Sequence, residues 1–461
     1  MVHFESKRVA VIGAGRSGYA AACALAKRGA QVEVYDCQPL DALPLARLLQ
    51  RQGVAVYPET DAPPTPHGYD LVVVSPGVPP SHPIFTLAEQ GSVPVWSEIE
   101  LAYRISPTPI IAVTGTNGKT TTTMLIHHIL QTMGLKARLC GNIAGTEGDL
   151  TLTEAADAAA PDEWLVAEVS SFQLLHTHAF RPRVAVITNI CNDHLDYHGS
   201  WEAYALAKAK ILANLGVGDW AVLNAEDEGI RWVLNHHPAL TAWKRGQGSE
   251  DSPSFVYFYA SNPVVEMADG ALDLTQTPMP ALQGRHNLEN ALAAAQVAAI
   301  LGGTAAQLRD ALATFRGAPH RMELVGEWDG VRYINNSMCT NADALEKSLQ
   351  ATPKPCIVIA GGVDKNNSIL QIAHSLARHA QNVLLIGRDG QAIGDALRQL
   401  GFASWQYAET LENAVRLAKA QARAGETVIL SPGCASFDQF RNFAHRGEEF
   451  KRIVREVCYE K

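Results

Sequence analysis

Short, uninterrupted apolar runs, each followed by a turn and then by a stretch with helical spacing of its apolar positions, recur along almost the whole chain. That alternation predicts strand–helix units whose strands are buried on both faces, because a parallel sheet covered by helices leaves its strands no polar side. Arg8 to Ile12 reads as a strand, Ala20 to Lys27 as a helix, and Gln31 to Tyr35 and Tyr69 to Val74 as further strands, so the chain opens with an α/β domain. Pro79, Pro80 and Pro83 punctuate its end, and Ser106-Pro107-Thr108-Pro109 precedes the next strand, which places a boundary near residue 98. A second series begins at Ile110, with strands at Glu163 to Val169, Val184 to Asn189 and Trp220 to Leu223 and helices at Thr120 to Leu130, Tyr204 to Leu215 and Asn287 to Leu301. After Gly317-Ala318-Pro319 the alternation restarts with strands at Val331 to Ile334, Cys356 to Ala360, Asn382 to Ile386 and Thr427 to Leu430. The pattern therefore predicts three α/β domains, residues 1–98, 99–318 and 319–461.

Composition narrows the class. A chain of 461 residues with 47% hydrophobic and 18% charged positions is ordinary for large soluble domains. Its formal net charge of -9 argues against a nucleic-acid partner held through phosphates, while leaving room for a local basic pocket. The eight cysteines stand singly, without CxxC pairs, as reduced thiols in a cytoplasm do. No apolar leader follows Met1, and even Ala291 to Leu301 is too short to cross a bilayer, so the expectation is a cytoplasmic protein with no membrane insertion.

The most specific chemistry lies at Val113-Thr114-Gly115-Thr116-Asn117-Gly118-Lys119-Thr120, a glycine turn ending in Lys-Thr between a strand and a helix. Gly115 and Gly118 let the backbone curl, and Thr116, Asn117, Thr120 and Thr121 complete the turn and the first helical residues, whose N–H groups and dipole hold phosphate. Lys119 reaches the terminal phosphates of such a nucleotide and the Thr120 hydroxyl ligates Mg²⁺. The usual loop has its first glycine where Val113 stands, so this is a shortened version of the ATP-binding P-loop.

A second glycine turn, Gly13-Ala14-Gly15-Arg16-Ser17-Gly18, follows the first strand, with Asp36 ending the next one, which makes the first domain Rossmann-like. Glycines that bring a helix N-terminus up to a diphosphate serve any diphosphate-linked nucleotide, so NAD(P) and a UDP-linked substrate both remain open. The ATP loop in the next domain favours the UDP-linked substrate. Glu168, at the carboxyl tip of a strand, is a Mg²⁺ candidate. Asp193-His194-Leu195-Asp196 follows another strand, and Lys208 lies on the next helix; by themselves a lone His is more often structural and Lys208 reads as a surface lysine.

These motifs, with Gly141-Asn142-Ile143, Ser170-Ser171-Phe172-Gln173, Gly284-Arg285-His286-Asn287, His320-Arg321 and Ser431-Pro432-Gly433-Cys434-Ala435-Ser436-Phe437-Asp438-Gln439-Phe440, resemble the Mur ligases of peptidoglycan synthesis over nearly the whole chain. The segment through Phe443 and Arg446-Gly447 is most similar to the members that add D-glutamate. The resemblance implies a central P-loop-type ATPase domain, a Rossmann-like third domain, and a monomer that uses ATP and Mg²⁺ to join D-glutamate to UDP-N-acetylmuramoyl-L-alanine through an acyl phosphate. It further implies that Lys119 contacts the β/γ-phosphates, that Thr120 and Glu168 hold one Mg²⁺, and that His194 and Lys208 hold a second, Lys208 as a CO₂-derived carbamate. Asn287, Asn290, Arg321 and Asn336 then belong to the adenosine end of ATP. Gly15, Arg16, Ser17, Asp36, Asn142 and His194 face the UDP-sugar, and Thr340, Lys365, Ser436 and Phe443 hold the amino acid.

One segment departs from the family. Where its relatives read Asn-Asp-Ser-Lys-Ala-Thr-Asn, this chain reads Asn335-Asn336-Ser337-Met338-Cys339-Thr340-Asn341. An acid and a base are lost together, as a compensated exchange would lose them, and Asn336 still offers hydrogen bonds to a ribose. The departure adjoins the expected amino-acid pocket, so acceptance of L-glutamate and a catalytically weakened regulatory relative stand as alternatives.

Overall fold

The computed structural model describes residues 2–59, 68–143, 150–237, 252–282, 284–364 and 368–459, without the side chain of Asp196. The described chain divides into two compact units, Met1–Phe315 and Arg316–Lys461. Three large sheets follow one another in sequence.

The first sheet holds β1 (Arg8–Ile12), β2 (Gln31–Asp36), β3 (Ala55–Pro58), β4 (Leu71–Val74) and β5 (Val95–Ser97) in the order β3-β2-β1-β4-β5, with every pairing parallel. β1 and β4 are central and apolar on both faces, so neither can stand at an edge. Helix Arg16–Ala26 starts earlier than its apolar pattern suggests, because its first turn carries Arg16 and Ser17, polar residues that give no periodic signal.

The second sheet contains β6 (Ile110–Thr114), β7 (Ala137–Gly141), β8 (Trp164–Glu168), β9 (Val184–Ile187), β10 (Trp220–Asn224) and β11 (Ser254–Phe258), ordered β11-β10-β9-β6-β8-β7 and parallel throughout. Ile111 and Val113 of β6 are fully buried, each stabilising the fold by about 2 kcal/mol through removal of apolar surface from water. The chain leaves β6 toward β7 on one side and later crosses to β9 on the other, so the carboxyl ends of β6, β8 and β9 form the switch point where open α/β sheets bind ligands. Helix Trp201–Ala209 ends six residues before the expected Leu215, its last turn tightening over Lys210–Leu212. A hairpin of β12 (Val264–Met267) and β13 (Gly270–Asp273) follows the sheet. Helices Glu98–Ile105 and Leu152–Ala158 sit between the first two sheets, and a single apolar core, including Ile99, Leu101, Leu152 and Ala155, runs through both.

The second unit carries β14 (Glu323–Trp328), β15 (Val331–Asn335), β16 (Cys356–Gly361), β17 (Asn382–Ile386), β18 (Trp405–Glu409) and β19 (Thr427–Leu430) in the order β14-β15-β19-β16-β17-β18. Only the edge strand β14 runs antiparallel, and helices cover both faces over two apolar cores.

Candidate functional site

The loop Gly115–Gly118 leaves the carboxyl end of β6 and feeds helix Lys119–Thr132. Gly118 has φ +81°, and a Cβ there would lie 2.1 Å from Asn290 Oδ1, so only glycine lets the loop close under Asn290. Among the described residues, the backbone N–H groups of Gly118, Thr120 and Thr121 have no partner, and they stand at the positive end of the helix dipole. Thr116 and Asn117 behave otherwise, donating their N–H groups to Asn189 O and Asn189 Oδ1, each at 2.9 Å. Lys119 Nζ folds onto the loop's own carbonyls, Gly115 O at 3.0 Å and Thr116 O at 2.9 Å.

Glu168, 3% exposed, ends β8 beside the helix. Thr120 Oγ1 donates to its Oε2 at 2.7 Å, and Asn142 Nδ2 to its Oε1 at 3.2 Å. An almost buried carboxylate faced by a hydroxyl is a hard-oxygen pair that fits Mg²⁺, which binds through one or two protein oxygens and completes its shell with phosphate and water. No three His, Cys, Asp or Glu side chains could hold a metal among the described residues, so a cation here takes most of its ligands from elsewhere.

Lys208 is buried instead of lying on the surface, at 2% exposure. Its Nζ donates to Gly115 O at 2.8 Å and lies 4.7 Å from the Tyr204 ring centroid. Burial, and then the neighbouring Lys119 charge, push its pKa down to about 7, with Asp193 and Glu168 opposing. His194 has φ +50° and a half-exposed side chain, and its ring stands 4.9 Å from Phe172 and 6.3 Å from Tyr204. Lys208 and His194 thus flank the same tyrosine.

Gly13, Gly15, Arg16, Ser17, Asp36 and Ser75 line a cleft of about 530 Å³ in the first sheet. Asp36 Oδ2 accepts from Ala14 N at 2.7 Å and braces the glycine turn, while its Oδ1 accepts from Gln38 N at 2.9 Å and fixes the chain just after β2. Tyr197 donates to Val78 O at 2.9 Å and links this cleft to the segment after β9. A cleft of equal volume, lined by Arg104, Arg181, Arg183 and Asp219, opens at the amino ends of the second sheet's strands, away from the phosphate loop. Asn290 is 4% exposed and bonded to Thr122 Oγ1 and Asn287 Oδ1, so it holds the loop's helix against helix Arg285–Ile300.

In the second unit, Asn336 turns inward. Its Oδ1 accepts from Met322 N at 3.2 Å and its Nδ2 donates to Ser431 Oγ at 3.1 Å, which in turn pairs with Ser348 Oγ at 2.8 Å. The amide expected to meet a ribose is engaged at both ends. Arg321 Nε lies 3.3 Å from Met338 Sδ. Thr340 is exposed, Ser436 is buried, and Phe443 O accepts from Ser337 Oγ at 2.7 Å, while Lys365 lies outside the described residues. Arg446, named in the sequence only as part of a family-like segment, has a role that pattern reading did not give it. Fully buried, it donates to Ser337 Oγ at 3.0 Å, Ser337 O at 2.9 Å and Cys434 O at 3.1 Å, tying the segment after β15 to the one after β19. Burial lowers its pKa to about 10.

Three family models match the chain in order: the Mur ligase MurD-like N-terminal domain over residues 7–97, the Mur ligase middle domain over 113–298, and the Mur ligase glutamate ligase domain over 320–434. The UDP-N-acetylmuramoylalanine–D-glutamate ligase of Pelotomaculum thermopropionicum is 40% identical over 465 residues, covering 98% of both chains. The chain belongs to the Mur ligase family. The enzymes of the same name from Geobacillus kaustophilus and Koribacter versatilis are 39% and 38% identical, again over 98% of both chains. Among solved structures, the UDP-N-acetylmuramate–alanine ligase of Thermotoga maritima has a TM-score of 0.53 at 20% identity, over 98% of this chain and 99% of that one. MurF from Acinetobacter baumannii has a TM-score of 0.54 at 16% identity, over 95% and 87%. At those identities the likeness concerns the Mur ligase fold alone, which agrees with the three α/β sheets.

Proposed function

We propose that this Mur ligase is a cytoplasmic enzyme of peptidoglycan precursor synthesis that uses ATP to join D-glutamate to UDP-N-acetylmuramoyl-L-alanine. The observation that carries the reading is the convergence of Lys119, the Thr120–Glu168 pair and the near-neutral Lys208 on one phosphate loop. Relatives that match the chain from end to end bear the name of this activity.

A carboxylate is a poor electrophile, so the alanyl carboxylate attacks the γ-phosphorus of ATP, releasing ADP and forming an acyl phosphate. The amine of D-glutamate attacks that carbonyl, loses a proton, and expels phosphate to leave the amide. Both steps bring anions together, and most of the catalysis is positioning and charge neutralisation. The free N–H groups of Gly118, Thr120 and Thr121 bind phosphate oxygens, and Lys119 swings from its loop carbonyls to the β/γ-phosphates. Thr120 and Glu168 would hold Mg²⁺, which would supply neutralisation of the phosphate charge. Lys208, buried with a pKa lowered to about 7, could add CO₂ through Nζ with loss of a proton, and the resulting carbamate with His194 would hold a second Mg²⁺, which would supply further charge neutralisation. Gly15, Arg16, Ser17, Asp36 and Asn142 serve the UDP-sugar, while Thr340, Lys365, Ser436 and Phe443 serve the amino acid. Asn287, Asn290, Arg321 and Asn336 serve the adenosine end of ATP, with Asn290 and Asn336 acting as braces rather than by contact.

Phosphate release from MgATP with UDP-N-acetylmuramoyl-L-alanine, compared without an amino acid, with D-glutamate and with L-glutamate, tests the proposal. D-Glutamate-dependent release supports it. L-Glutamate-dependent release moves the specificity to the Asn336–Met338 segment, and no release with either amino acid identifies a regulatory relative.

A further inference from the structure

We infer that Asn189 is a positioning residue for phosphoryl transfer, acting through the backbone of Asn117; the inference rests on the loop's being an ATP site. A phosphate loop catalyses only if its N–H groups already point at the phosphates, yet Asn117 sits exposed at the outermost turn of a glycine-rich segment, where backbone freedom is greatest. The structure opposes that freedom from one direction. Asn189 Oδ1 accepts from Asn117 N at 2.9 Å and Asn189 Nδ2 donates to Asn117 O at 3.0 Å, so one side-chain amide grips both polar groups of one loop residue. Thr188 Oγ1 adds a third bond to Asn117 O at 2.7 Å, and Asn189 O accepts from Thr116 N at 2.9 Å. Thr116 Oγ1 then accepts from Cys191 N at 2.9 Å and pairs with the Tyr204 hydroxyl at 3.0 Å.

Gly115 makes this clamp possible. At φ +153°, a Cβ on residue 115 would lie 1.9 Å from Thr188 Oγ1, and the threonine could not reach across to Asn117. The same bonds divide the loop's donors. Thr116 and Asn117 give their N–H groups to the segment following β9, and Gly118, Thr120 and Thr121 keep theirs for phosphate. Thr188, Asn189 and Cys191 are therefore the fixed side of the cradle, and the helix start is its binding side. Asparagine is the residue this geometry needs, because an acceptor and a donor must sit side by side to match a backbone N–H and C=O. Aspartate would set a carboxylate oxygen against the Asn117 carbonyl.

The test compares Asn189→Ala, Thr188→Val and Thr188→Ser in the full chain. The readouts are the dissociation constant for MgATP, KM and kcat for ATP, KM for the UDP-sugar and D-glutamate, and Tm. Asn189→Ala is expected to lower kcat/KM for ATP about 100-fold, as loss of alignment at a reacting group does. Thr188→Val should lower it about tenfold, the worth of one loop hydrogen bond, and Thr188→Ser, which keeps the hydroxyl, should restore it. The other two KM values should stay within about twofold of the parent. MgATP affinity and kcat/KM for ATP unchanged in a folded Asn189→Ala variant would overturn the inference, as would a loss in Thr188→Val that serine fails to restore. Should Asn189→Ala not fold, the Thr188 pair decides alone. If the parent binds MgATP without ligating D-glutamate, the ligase reading fails, while the MgATP constants still decide the role of Asn189.

Discussion

Removing CO₂, or removing Lys208, should silence the enzyme, and the expected pH dependence follows from the burial of that lysine. Its pKa of about 7 leaves roughly three-quarters of the amine neutral at pH 7.5, whereas a lysine at the ordinary 10.5 would be neutral in about one molecule in a thousand. Only the neutral amine adds CO₂, so burial enriches the reactive form by roughly 700-fold. At pH 6 the neutral fraction falls to about one-tenth. With dissolved CO₂ held constant, carbamate occupancy and turnover should therefore rise together between pH 6 and pH 8. The assay is ¹³C NMR of protein equilibrated with ¹³C-bicarbonate, run beside turnover in CO₂-stripped and CO₂-replete buffer. The parent should give a carbamate resonance and regain activity on adding bicarbonate, and Lys208→Ala should do neither. Near-normal turnover in Lys208→Ala, or full activity without a resonance, would refute the reasoning.

The same lysine predicts a stability trend in the ligand-free, CO₂-free protein. Its folded pKa lies below its unfolded value, so between about pH 7 and 10.5 the unfolded chain binds more protons and Lys208 makes stability rise with pH. Below about 7 its contribution is flat and at its least favourable; Lys208→Met should flatten the rise in urea titrations across that window. Glu168→Gln keeps the shape of the Thr120 and Asn142 contacts but removes the charge a Mg²⁺ needs, so kcat should fall by about 100-fold or more with only a small change in Tm, measured as Mg²⁺-dependent turnover. Arg446→Lys cannot reproduce a fork that serves Ser337 and Cys434 together, and should destabilise the second unit by about 2–4 kcal/mol in denaturant unfolding.

What the sequence disclosed depended on where each element lies. The central strands β1, β4, β6, β8, β9, β10, β16, β17 and β19 all appear as apolar runs, because burial on both faces permits nothing else. The strands that went unseen are the six sheet edges, β3, β5, β7, β11, β14 and β18, together with the β12–β13 hairpin. An edge strand pairs on one side only, and such segments accordingly mix polar residues into the run, half-buried Arg138 in Ala137–Gly141 and exposed Gln406 and Glu409 in Trp405–Glu409. The phosphate loop was legible because glycine and lysine carry the chemistry in the sequence itself. Lys208 was legible only through the family resemblance, since by pattern alone a lysine on a helix reads as surface until the Tyr204 ring and the Gly115 carbonyl are seen around it. The buried role of Arg446 was hidden for the same reason, its partners standing more than a hundred residues away at Ser337 and 12 away at Cys434. Asn336 marks the reverse case. Sequence comparison drew attention to it as a ligand contact, and the structure adds that its amide closes a buried network with Ser431 and Ser348, which no pattern in the sequence announces.

The account stands most directly on the product of a single incubation. The chain, MgATP, UDP-N-acetylmuramoyl-L-alanine and D-glutamate, followed by mass spectrometry of the UDP-linked species, should yield a nucleotide heavier by one glutamyl residue together with ADP and phosphate. Conversion of ATP without that product, or the product from L-glutamate and not from D-glutamate, would contradict it.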